Sequence, residues 1–98
     1  MERDSGARVI DQLYEVVLLL ASEEGQIVQR LAHAYFSRIE LMDVSLLPPK
    51  VQDKFERVRS ALRRMYPERD RIDHVDIDHA VNVAQEIILL YDDAINET

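Results

Sequence analysis

Pro49-Lys50-Val51-Gln52-Asp53-Lys54-Phe55-Glu56-Arg57-Val58-Arg59-Ser60-Ala61-Leu62-Arg63-Arg64-Met65 is the stretch that decides the fold. Val51, Phe55, Val58, Leu62 and Met65 recur at spacings of four, three, four and three, which places them on one stripe of a helix. Lys50, Lys54, Arg57, Arg59, Arg63 and Arg64 occupy the rest of its surface. Pro48-Pro49 forbids helix upstream and suits a first helical turn, so the spacing predicts a helix over 49–65. Behind it, Tyr66-Pro67-Glu68-Arg69-Asp70-Arg71 combines a proline with dense charge and reads as a turn.

Working outward, Ile77, Val81, Ala84, Ile88, Tyr91 and Ile95 form a second four-three seam. Ala80, Ile87 and Ala94 widen it, and Asp76 stands where an N-cap is needed, giving a helix over 77–96. Upstream, Val9, Ile10, Leu13, Val16, Val17 and Leu20 predict a helix over 6–21 with Ser5 as its cap. Ile27, Val28, Leu31, Ala34, Tyr35, Ile39 and Met42 predict another over 23–42, with Ser22 as cap and Glu23 and Glu24 favourable in its first turn. The apolar seam runs in phase across the join through Leu13, Val17, Leu20, Glu24, Ile27, Leu31 and Ala34. One long helix is therefore an alternative, and a kink or short turn near Gly25 is the favoured reading. No strand-like alternation competes. The expectation is a single all-α domain over residues 1–98: a four-helix up-and-down bundle or paired helical hairpins, completed by dimerisation.

Ninety-eight residues without Cys or Trp and with two Gly exclude a disulfide framework, a thiolate zinc site, an iron–sulfur cluster and a cysteine nucleophile. They also leave no glycine-rich phosphate loop. The longest apolar run, from Val16 to Ala21, is six residues, far below the roughly 20 of a membrane span. The N-terminal residues lack the pattern of a signal peptide, so a cytoplasmic location is expected. No cofactor and no small-molecule substrate is indicated.

The net charge of −7 is unevenly spread: Met1–Pro49 carries −4, Lys50–Arg71 carries +4 and Ile72–Thr98 carries −7. Phosphate neutralisation drives nucleic-acid binding, so the overall balance argues against it. The arginine-rich helix is expected to present a solvated face paired with carboxylates, with an acidic protein partner as the sharper alternative.

Three carboxylates and two imidazoles crowd Asp73-His74-Val75-Asp76-Ile77-Asp78-His79. His74, Asp76, Asp78 and His79 are donor types that suit a divalent metal, but helix capping by Asp76 explains the cluster without one. Beside it, Arg69-Asp70-Arg71-Ile72-Asp73-His74 places a histidine five positions after an arginine. That pattern resembles the Arg-x4-6-His signature of the HEPN family of helical, dimeric ribonucleases. The resemblance covers six residues and implies that Arg69 steadies a phosphate and His74 acts in acid–base catalysis across a dimer. It departs from the family at Asp70, where Asn is usual, and is flanked by the carboxylates of Glu68, Asp73 and Asp76. The lead-in Leu46-Leu47-Pro48-Pro49, followed by Val51 and Phe55, is generally similar to small bacterial helical proteins and implies no activity. Tyr14, Tyr35 and Tyr91 lie in or beside seams and read as core edges; His33 needs no special role.

Apolar residues beyond the seams, including Leu18, Leu19, Leu41, Leu46, Leu47, Leu89 and Leu90, exceed what one small core can bury. The sequence therefore points to a non-enzymatic, acidic helical interaction module, homodimeric or bound to another protein. The expected contact residues are Leu18, Leu19, Leu46, Leu47, Arg57, Arg63, Arg64, Leu89 and Leu90.

Overall fold

The computed structural model describes residues 2–22, 25–69, 71–72 and 74–97, with side chains from Val9 onward. It is all-helical: α1 spans Glu2–Ser22, α2 Ile27–Ser37, α3 Pro49–Met65 and α4 Ile77–Asn96. Two single 3₁₀ turns, Ile39–Leu41 and Val44–Leu46, join α2 to α3. No strand occurs among the described residues. Helix α4 packs against α1, α2 and α3, and α1 packs against α2.

The join between α1 and α2 is broken. Gly25 adopts φ +105°, a left-handed conformation that glycine takes without steric cost. A Cβ there would lie 2.8 Å from Oε1 of Gln29. That same oxygen accepts the backbone N–H of Gln26 at 3.2 Å and so covers one of the free donors at the start of α2. Ser22 does not cap α2; it ends α1, its hydroxyl donating back to the Leu18 carbonyl at 2.5 Å. Ser5 lies inside α1 rather than at its start, and Glu23 and Glu24 fall outside the described residues.

Helix α2 is also shorter than the 23–42 periodicity predicts. It stops at Ser37, whose hydroxyl bonds the His33 carbonyl at 2.6 Å and competes with the helical ladder. The chain then bends through the 3₁₀ turns while keeping Ile39, Met42 and Leu47 in the core. Asp43 holds the second turn by accepting the Ser45 hydroxyl at 2.6 Å and the Ser45 N–H at 3.1 Å, which lower its own pKa. Helix α3 begins with Pro49 and buries Val51, Phe55, Val58, Leu62 and Met65, as its seam predicts. Asp76 caps α4 by accepting the His79 N–H at 3.1 Å.

The seam of α4 requires correction. Ile77, Val81, Ile88 and Ile95 are exposed and Tyr91 is half-buried, whereas Ala80, Val83, Ala84, Ile87, Leu90 and Ala94 face the core. The buried set has the smaller residues because α4 lies against all three other helices, and alanines permit that approach. The larger aliphatics are displaced to the outer flank.

Two further residues are deeper than expected. Tyr66, read as part of a turn, is among the largest fully buried side chains; its hydroxyl donates to the Val28 carbonyl at 2.8 Å, and burial pushes its pKa up to about 12. Arg59, read as part of a solvated face, is 8% exposed. Its guanidinium lies 5.0 Å from the Phe55 ring centre, donates to the Met42 carbonyl at 2.9 Å and pairs with Glu56 at 2.8 Å. It ties α3 to the end of the first 3₁₀ turn.

Candidate interaction surfaces

Helix α4 has two usable flanks. On the first, Ile77, Val81, Ile88 and Ile95 follow spacings of four, seven and seven and form one exposed line. Tyr91, three and four residues from Ile88 and Ile95, brings its ring to 5.9 Å from that of Tyr14 on α1. Exposed Tyr14 and Leu18, one turn apart, thus continue the line across the helix boundary. These six side chains, exposed by 37 to 56%, present on the order of 500 Å² of apolar surface, at the upper end for a monomer's largest patch. Asp11, Asp78 and Asp92 beside this line are exposed, and next to Tyr14 the half-exposed Glu15 pairs with Arg38 at 3.3 Å.

On the second flank, α4 runs antiparallel to α3 and ion pairs link them: Lys50 to Glu97 at 4.0 Å and Lys54 to Asp93 at 2.5 Å. Beside the Lys54–Asp93 pair a cavity of about 500 Å³ is lined by Arg57, Val58, Leu89 and Leu90, with the carboxylates of Glu86 and Asp93. A second, of about 290 Å³, lies between Arg64 and the start of α4, lined also by His74, Asp76 and His79. A shallow depression of about 420 Å³ on the outer side of α3 has both Arg57 and Arg64 in its lining, with Asp53, Glu56 and Ser60. Arg57 and Arg64 each line two of the three cavities.

The expected contact residues divide accordingly. Leu18, Leu46, Arg57, Arg64 and Leu89 are exposed. Leu89, at 64%, is the most exposed aliphatic residue of α4. Leu47 and Leu90 are core residues at 3% exposure and are unavailable to a partner; Leu19 packs against the core from its edge. Sequence reading placed these three partly outside the main seams; the second buried stripe of α4 brings Leu90 inward and the bend after α2 brings Leu47 inward. Arg63 is committed within the chain. It holds Glu40 in a two-pronged pair with a shortest distance of 2.6 Å, and the Tyr35 hydroxyl donates to the same carboxylate. The Arg63 hydrogen bonds, then that of Tyr35, lower the Glu40 pKa to about 2. Burial, followed by the Glu40 charge and hydrogen bond, raises Tyr35 to about 12. This cluster has no sequence signature, because its members are brought together only by the bend between α2 and α3.

The candidate chemical residues do not gather into one centre within the chain. His74 Nε2 is 3.0 Å from the Met65 carbonyl, which only accepts, so that nitrogen carries the proton and the imidazole is tied to the end of α3. Arg69 turns elsewhere, its guanidinium 5.1 Å from the Phe36 ring centre, and does not line the cavity that His74 lines. Asp76 is engaged as the α4 cap. Among the described residues no group of three His, Asp or Glu side chains is placed to hold a metal ion; Asp70 and Asp73 fall outside them. No helix among the described residues is long and apolar enough to cross a membrane. No protein family, curated protein or solved structure matches the chain.

Proposed function

We propose that this chain is a protein–protein interaction module that pairs with a second copy of itself, in a cytoplasmic setting and without catalysis. The supporting observation is the exposed line of Ile77, Val81, Ile88 and Ile95, extended by Tyr14 and Leu18. Its surface of on the order of 500 Å² is most of the roughly 800 Å² that each partner contributes to a stable interface. A two-fold pairing buries the line against itself and leaves the acidic residues Asp11, Asp78 and Asp92 at the solvated rim. Like charges at that rim repel, so dimerisation strengthens as salt screens them.

Size-exclusion chromatography with light scattering tests this reading. The chain elutes as a dimer, more firmly at higher salt, and Ile88→Glu converts it to a folded monomer. Leu89→Glu, on the opposite flank of α4, leaves the dimer intact. A monomer at every concentration and salt level overturns the proposal.

A further inference from the structure

The groove between α3 and α4 is bridged at one end. The pairs Lys50–Glu97 and Lys54–Asp93 fix an antiparallel register, in which Arg57 stands level with Leu90 and Glu86 level with Ala61. Arg57 and Glu86 thus line one cavity of about 500 Å³ from opposite helices. They are a helical turn apart, about 6 Å along the axes. Neither forms an ion pair among the described residues.

The rest of the lining is of two kinds. Val58 and Leu90, 6% and 3% exposed, give an apolar floor, and Leu89, at 64%, a rim of the same character. Lys54 and Asp93 also line the cavity and neutralise each other at 2.5 Å. The lining charges balance, two cations against two carboxylates. An occupant carrying one sign of charge therefore leaves either Arg57 or Glu86 unmatched. The volume of about 500 Å³ falls within the roughly 300–1,000 Å³ of small-molecule sites.

We infer that this cavity binds a free α-amino acid with an aliphatic side chain. Its carboxylate lies on the Arg57 guanidinium, whose planar fork binds both oxygens, and its ammonium lies on the Glu86 carboxylate. An α-amino acid carries both charges on one carbon, so a single small molecule joins two groups that do not reach each other. Its side chain packs on Val58, Leu89 and Leu90 and removes the exposed surface of Leu89 from water. No aromatic ring among the described residues lines the cavity, which favours an aliphatic over a planar side chain. A ligand that is anionic along its length is opposed by Glu86 and Asp93.

The cavity lies on the α3 side of α4, away from the dimer line, so this inference and the dimer reading fail separately. Heteronuclear NMR titration of the full chain with L-leucine tests it. Three analogues are compared: leucinamide lacks the carboxylate, N-acetyl-leucine lacks the ammonium, and glycine lacks the side chain. Leucine is expected to give saturable shifts centred on the amides of Arg57, Val58, Glu86 and Leu89, and each analogue to bind about tenfold more weakly or worse. Arg57→Gln and Glu86→Gln each lose on the order of tenfold in affinity. Leu89→Gln loses several-fold, and all three variants keep the helical circular dichroism and oligomeric state of the parent. Absence of saturable shifts, shifts centred elsewhere, an analogue that binds as well as leucine, or unchanged affinity in Arg57→Gln or Glu86→Gln overturns the inference.

Discussion

Helices α3 and α4 carry apolar seams of the same four-three spacing, yet the α3 seam is inside the molecule and the large aliphatic residues of the α4 seam are outside. In α3, charged and polar residues fill every other direction, so the helix has one possible inward face and takes it. Helix α4 is apolar over more than half its circumference and offers two candidates. Packing selects the face with Ala80, Ala84 and Ala94, because a helix in contact with three others must let them come close. Periodicity locates a single stripe securely; when two stripes are present, residue size decides between them.

The sharpest way to break this comparison is to truncate one large residue from each seam. Phe55→Ala in α3 removes a fully buried ring and costs about 3–5 kcal/mol. Ile88→Ala, measured by urea unfolding at a dilution where monomers prevail, costs under about 0.5 kcal/mol, as for an ordinary surface change. Equal losses would mean that the Ile88 face is buried in the monomer. A second test enlarges the chosen face: Ala84→Leu crowds the three-helix contact and destabilises by about 1–3 kcal/mol. If that variant is neutral, residue size is not what orients α4.

The smallest effect concerns the bend that follows α2, where electrostatics rather than apolar pattern fixes the chain. Glu40 is held at a pKa of about 2 by Arg63 and Tyr35, below its value in the unfolded chain. Its contribution is therefore present above the unfolded pKa of roughly 4.3 and is lost as pH falls from about 5 to about 2. Arg63 is half-exposed, so solvent screening limits that contribution to about 1 kcal/mol. Unfolding followed between pH 7 and pH 2 should show a smaller acid loss in Glu40→Gln than in the parent chain; identical profiles would remove Glu40 from the account.

These contrasts show which parts of the molecule were legible in advance. Four helices, the break at Gly25, the Pro49 start and the Asp76 cap follow from local rules of backbone geometry and capping. The whole inward face of α3 is written in its own residues. The burial of Leu47, Tyr66 and Leu90, and the anchoring of Arg59 on Phe55 and Met42, depend on partners distant in the chain. Arg59 does carry one legible sign: it follows Phe55 by four positions, so a guanidinium there lies beside the ring on the same side of the helix. Of the candidate surfaces, the abundance of outlying leucines signalled that an apolar face exists. Which leucines compose it required the rotation of α4.

Gly25 bears on how the chain keeps its helices to itself. The seams of α1 and α2 are in phase, so a straightened join would make one continuous amphipathic rod. In such a rod α1 no longer folds back onto its own α4 and instead reaches that of a neighbour, exchanging identical segments between molecules. The left-handed turn at residue 25, a conformation that favours glycine, is what bends the chain away from that rod.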